Sequence, residues 1–364
     1  MNIFKNVLEC RDMNALNSRI TSADALTTFG ISGNYVCLLN DKNDYVFVKI
    51  ALHGLTSYYQ WKKPPSKLKE SSVVVEIDML RAIRNKIIKR NLTPHYIEII
   101  AVSTCTKVAK HIIDLSSCDH QRAGRLPMIP SDISSLMCGF QDIIRSKIAQ
   151  DQFSIIFSSY CAMPLREFII YHLPANIINQ RNELIAIIFQ IYFTILVTHR
   201  VWPNFRHGDL LIHNIMMELN SIAYDSKYEQ YLEYVIGEQS WYIPYHGHIP
   251  KIIDFGHGQI PEENIYNAMN VPSNQWVPDY IMFILSITEL IHVMPKQPHI
   301  QLDIFNPNKL TLDARNITLM EYASTFPTPE DIITDDIFDI FIPNQTIDRK
   351  HILHTYIAPP LINK

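Results

Sequence analysis

Apolar and polar positions change their period along the chain, and the change marks out its elements. Residues 27–52 alternate, with Tyr35–Leu39 and Tyr45–Ile50 rich in β-forming side chains around a polar turn at 40–44, so they predict strand, turn, strand. Over 71–90 the period lengthens. Val75, Met79, Ile83 and Ile87 recur every four residues, and Arg and Lys fill the last turns, which predicts a helix with one buried stripe and a solvated basic face. Tyr96–Val102 and Phe153–Phe157 read as further strands. From about Leu165 the pattern turns helical. Leu184–Val197 is apolar on every face, as a central core helix would be, and 278–293 is a second such segment. The pattern therefore predicts an N-terminal extension (1–26), a small β-rich part (27–160) carrying an insertion at about 103–150, a hinge at 158–164, and a larger helical part (161–364) with an insertion at about 217–250.

Composition adds exclusions. The 364 residues are 47% hydrophobic and 19% charged, an ordinary globular balance. A net charge of −4 argues against a dedicated nucleic-acid binder. The longest apolar run, Ile185–Val197, is broken by Gln190 and Thr194, so no membrane span is expected, and residues 1–12 have no signal-like apolar stretch. Six scattered cysteines form no C-x-x-C pair. That spacing suggests neither disulfides nor a zinc knuckle, and points to a reducing, cytoplasmic setting. Glycine is scarce, ten in all. Five fall in three short stretches: Gly30 and Gly33, Gly208, and Gly256 and Gly258.

Those stretches hold the candidate chemistry. His207-Gly208-Asp209 is followed, five residues after the aspartate, by Asn214. Some forty residues on, the apolar pair Ile252-Ile253 runs into Asp254-Phe255-Gly256. Two carboxylates and an amide in this order suit phosphoryl transfer. Asp209 would orient and deprotonate an attacking hydroxyl, while Asp254 and Asn214 offer Mg²⁺ hard oxygen donors beside ATP phosphates. A zinc reading of His207, Asp209 and His213 is disfavoured by that order, and His246-Gly247-His248 reads as a loop rather than a metal site. The order Asp, Asn, Asp is that of the protein-kinase signature set.

The sequence thus resembles the protein kinase superfamily, and other positions agree with the resemblance. Val46-Phe47-Val48-Lys49 is similar to the strand whose lysine binds the α- and β-phosphates. Glu76 is placed like the helix-C glutamate that pairs with it. Thr28–Tyr35 resembles a glycine-rich loop that keeps Gly30 and Gly33. Ser159 and Cys161 fall where the hinge would line the ATP site, with Ser158 near the gatekeeper position, and Asp279 resembles the aspartate that opens helix F. Residues 294–364 match no motif. The style of the motifs is closest to the divergent kinases of large nucleocytoplasmic DNA viruses (irido-, pox- and mimivirus-like).

The resemblance implies an α+β, two-lobed fold, with a small antiparallel-sheet N-lobe bearing helix C and a larger helical C-lobe. It also implies ATP and Mg²⁺ as cofactors, a protein Ser/Thr substrate, and a host-cytoplasmic or virion-associated location. Departures matter too. Leu211 stands where a lysine is usual, Gly208 replaces an arginine, and only about twenty residues separate Gly256 from Asp279. His-Gly-Asp is also the form found in small-molecule kinases. A small-molecule phosphotransferase and a catalytically weak scaffold are therefore the alternatives.

Overall fold

The computed structural model describes residues 9–10, 35–41, 44–54, 71–111, 133–147, 149–173, 177–219, 229–266, 278–293, 329–343 and 346–360. Two compact units emerge. The first comprises 1–81, 97–160 and 265–270; the second comprises 82–96, 161–264 and 271–364.

The first unit is built on strands β1 (Tyr35–Asp41) and β2 (Asp44–Gly54), helix α1 (Ser72–Lys86), strand β3 (Ile99–Thr106), helix α2 (Ile133–Arg145) and strand β4 (Ala149–Ser159). The sheet order is β1-β2-β4-β3, and every neighbouring pair is antiparallel. Along β2, Val48, Ile50 and Leu52 point into one core with Phe153, Ile155 and Phe157 of β4 and Phe140 of α2. Period-two geometry then sends Lys49 to the opposite face. Helix α1 carries the predicted stripe, with Val75, Met79, Ile83 and Ile87 all fully buried. The chain leaves it through a short 3₁₀ turn closed by Asn91 in the left-handed region (φ 53°).

Two features differ from the sequence reading. Strand β3 runs on to Thr106, and α2 and the start of β4 lie within 103–150, so much of that supposed insertion is sheet and core. The cysteine reading is also corrected. Cys10 and Cys105 form a disulfide with Cα atoms 5.7 Å apart, and Cys138 is disulfide-bonded as well. Sequence spacing could not reveal this, because 95 positions separate the first pair and only the fold brings them together.

The second unit contains β5 (Met163–Pro164), α3 (Leu165–Tyr171), α4 (Ile177–Val201), β6 (Ile215–Leu219), β7 (Tyr231–Ile236), β8 (Gln239–Pro244), β9 (His248–Ile252), α5 (Asp279–Val293), α6 (Pro329–Ile333) and β10 (Ile352–Ile357). Its axis is α4, buried on all sides from Leu184 to Val197. Several polar groups in its buried stretch are satisfied by hydrogen bonds within the unit. Thr194 and Thr198 donate to carbonyls four residues back, Gln190 Nε2 donates to Ala186 O, and Thr93 and Tyr96 meet Thr194 and Thr198 at 2.8 and 2.7 Å. Over Ile178–Val201 this helix is long and apolar enough to cross a membrane, a length the sequence reading underestimated, but 83% of it is buried in the protein.

The unit is less purely helical than expected. It holds two three-stranded sheets, β5-β6-β9 and β10-β7-β8. The supposed insertion at 217–250 supplies β7 and β8 whole, and parts of β6 and β9. β10 joins β7 in parallel, so the C-terminal segment completes a sheet begun more than a hundred residues earlier. Phe338 and Phe341 pack on Phe189 of α4, and Arg200 holds Pro359 O and Glu330.

Candidate functional site

In the first unit, Lys49 Nζ donates to both carboxylate oxygens of Glu76, at 2.9 and 2.8 Å. The side chains are 15% and 6% exposed. Both charges are therefore largely withdrawn from water, which is tolerable because each neutralises the other. β2 presents the ammonium and the first turns of α1 present the carboxylate. Ser159 ends β4 with its hydroxyl accepting from Glu98 N at 3.0 Å, a bond that ties β4 to the approach to β3. Gly30 and Gly33 lie outside the described residues.

In the second unit, the loop 206–214 and the segment 252–259 are laced together. Arg206 and Gln259 exchange two backbone hydrogen bonds, and Ile253 N donates to Asn214 O. His207 Nε2 lies 2.8 Å from Ile253 O, while Asp209 N donates to His207 Nδ1 at 3.3 Å. One ring nitrogen accepts and the other faces a carbonyl, so the neutral Nε2–H tautomer satisfies both partners. With both nitrogens engaged, His207 is structural. Phe255, fully buried, packs on His207 and Tyr96 with ring centroids 4.9 and 5.8 Å apart.

Asp279, at the start of α5 and almost fully buried, accepts from two consecutive backbone N–H groups: His207 at 2.6 Å and Gly208 at 2.9 Å. Gly208 has φ +79°, a conformation a side chain would strain, and this explains glycine before the aspartate. Asn214 donates through Nδ2 to Asp209 O at 2.7 Å and to Asp209 Oδ2 at 3.0 Å. Its carbonyl oxygen is then the atom it can offer a cation. Ser286, on the apolar α5, accepts from Ile212 N at 2.9 Å; no sequence signal singled it out.

Asp254 adopts φ +62°. A non-glycine residue held in the left-handed region costs about 1 kcal/mol or more, and such strain gathers where geometry matters for function. β9 delivers this residue. Its Lys251, buried, pairs with Glu218 at 2.9 Å and donates to Pro94 O at 2.6 Å. The thiol of Cys161 is buried and pushed up to about 12 by that burial, so it is unreactive.

Among the described residues, no group of three or more His, Cys, Asp and Glu could hold a metal ion. The pair Asp254 and Asn214 is a different kind of site. One carboxylate and one amide oxygen suit Mg²⁺, which takes few protein ligands and completes its shell with phosphates and water. His246 and His248, read from sequence as a loop, both hydrogen-bond to buried Glu183 at 2.6 Å. Burial works to raise that carboxyl, but the two histidines outweigh it and hold Glu183 down to about 2.

No family model matches the chain. It is similar to "Putative serine/threonine-protein kinase R301" of Acanthamoeba polyphaga mimivirus, 25% identical over 359 residues, with 86% of this chain and 87% of the relative covered. Among solved structures, it aligns with a crystallised kinase domain at 16% identity (TM-score 0.32, 67% of this chain and 52% of that one). It also aligns with WaaP in complex with acyl carrier protein at 11% identity (TM-score 0.37, 92% and 90%). The chain thus resembles a divergent viral kinase, and its mixed α and β elements fall into two compact units.

Proposed function

We propose that the chain is an ATP- and Mg²⁺-dependent protein kinase that transfers the γ-phosphoryl group to serine or threonine hydroxyls. The observation that carries this reading is the lacing of the loop 206–214 to the strand leading into Asp254. It gives Asp209, Asn214 and Asp254 a common rigid frame within one unit. Pre-positioning of this kind is most of what phosphoryl transfer asks of a protein.

In this mechanism Asp209 receives the acceptor hydroxyl's proton and aims its oxygen. The Asn214 amide fixes the carboxylate rotamer that does so. Asp254 and the Asn214 carbonyl oxygen hold Mg²⁺, which when bound offsets charge on the phosphates. Lys49, steadied by Glu76, orients the α- and β-phosphates, and Gly30, Gly33, Ser159 and Cys161 complete the nucleotide-binding set. Leu211 contributes no charge, so that part would fall to Lys49 with bound Mg²⁺, or to another cationic residue.

The test is divalent-dependent transfer of labelled γ-phosphate by the purified chain to casein-type proteins, with small-molecule hydroxyl acceptors in parallel. Labelled protein that disappears in Asp209→Ala and Asp254→Asn supports the reading. Labelling of the small acceptors alone replaces it with the small-molecule reading, which the glycine at 208 favours. No transfer to any acceptor, with a partner still bound, replaces it with a scaffold.

A further inference from the structure

We propose that Cys10 and Cys105 form a redox site that fastens Cys10 to the sheet bearing Lys49, and that the chain reaches its stable, nucleotide-competent form only once this pair is oxidised by a small disulfide such as oxidised glutathione. β3, which carries Cys105, is an edge strand of the four-stranded sheet. Cys105 is 1% exposed and packs in the same core as Val48, Ile50 and Leu52, the β2 residues that flank Lys49; Cys10, partly buried, packs against that core from outside. The bond therefore ties Cys10 to the core that lies beneath the lysine's strand.

The surroundings suit a bond that opens from one side. A disulfide sulfur has no hydrogen to give, so the Ser103 hydroxyl is the donor toward Cys10 Sγ at 3.3 Å; it also lies 3.8 Å from Cys105 Sγ. Of the two sulfurs, Cys10 is the one open to attack. With dithiothreitol as the reductant, one of its thiolates attacks Cys10 Sγ, the S–S bond breaks, and its electron pair leaves on Cys105 Sγ. The second thiolate closes the six-membered ring and expels Cys10. The two protons released by the dithiol end on the two cysteines. Expelling a thiolate into an apolar core is unfavourable, and the Ser103 hydroxyl eases it only in part, so reduction is expected to be slow. Cys138, in the same unit, is also disulfide-bonded, whereas Cys161, in the other, is a buried thiol, so oxidation is concentrated where the sheet is.

The fastening does not depend on phosphotransfer; its effect on nucleotide binding rests on the reading above. The test uses the full chain, treated with oxidised glutathione or with dithiothreitol, beside Cys10→Ser, which removes the bond at the partly exposed end. Alkylation with N-ethylmaleimide read by mass spectrometry should modify neither cysteine in the oxidised protein and both after the dithiol. A bond closing a loop this long should raise the melting temperature by about 10 °C. Cys10→Ser should lose that increment, and should bind a fluorescent ATP analogue at least fivefold more weakly. Alkylation of both cysteines in the folded, glutathione-treated protein overturns the proposal, and so does a Cys10→Ser melting temperature within about 2 °C of wild type. If Cys10→Ser does not fold, the dithiol response of the wild type decides instead. A lower melting temperature with unchanged nucleotide affinity overturns the nucleotide half. If the oxidised wild type binds no nucleotide but shows the melting shift, the fastening stands and the kinase reading fails.

Discussion

Asp209 is held by its neighbours rather than by its own chemistry. Asn214 grips its carboxylate and carbonyl, and Asp279 pins the backbone just before it. On the proposed function the carboxylate acts on the acceptor, so Asp209→Ala should lower kcat about 100- to 10,000-fold while a fluorescent ATP analogue binds as before. Lys49→Met should instead abolish transfer by weakening nucleotide binding, measured with the same analogue. His95 makes a different prediction. It is fully buried between Pro250 O (2.9 Å) and the Tyr234 hydroxyl (2.7 Å), and burial pushes it down to about 3. The unfolded chain binds this proton below about pH 6.5 and the folded chain only near pH 3, so stability is complete above pH 6.5 and falls as the pH drops. At pH 5 the loss is about 2 kcal/mol. Between pH 7 and pH 5, urea unfolding should show a smaller loss for His95→Gln than for the wild type, by about 2 kcal/mol, the remainder coming from other buried histidines such as His53, which burial pushes down to about 4. The stretches around Asp209 and Asp254 were the most legible part of the sequence, because their spacing is set by one loop and one strand, and local spacing survives in a linear string; buried His95 carried no such signal.

At the scale of elements, legibility followed sequence distance. The stripe of α1 and the apolar runs of α4 and α5 announced themselves because helical packing repeats every few residues. The joining of β10 to β7 did not, because strand pairing across more than a hundred residues leaves no local period. Nor did the reach of β3 to Thr106, whose last residues pair with Gln152 and Phe153 beyond a long intervening stretch. The β10 pairing carries a prediction. Deleting residues 352–364 uncovers β7, removes buried Tyr356 from beside Tyr234, and takes Pro359 O from Arg200. Loss of the Tyr356 side chain alone should cost about 3 kcal/mol or more. The truncated chain should melt well below the full one by circular dichroism, while Ile357→Ser, at an exposed β10 position, should melt as wild type does.

Across the whole molecule, each unit holds a constellation of its own: the Lys49–Glu76 pair in the first, and Asp209, Asn214 and Asp254 in the second. Their stabilising devices also differ, with disulfides in the first and buried polar ties along α4 in the second. A reductant should therefore lower the stability of the first unit while leaving the second unchanged. Hydrogen exchange followed by mass spectrometry, with and without dithiothreitol, should show β2–β4 losing protection and α4 keeping it.

The parallel seating of β10 on β7 bears on how the protein is made. A ribosome releases β7 and β8 long before β10, so the nascent second unit has a hairpin with one uncovered edge throughout that interval. Its sheet closes only when residues 352–357 emerge, more than a hundred residues after β8. Until then the nascent chain offers an open strand to any neighbour, and occupancy by chaperones during translation should be greatest between the appearance of β8 and that of β10.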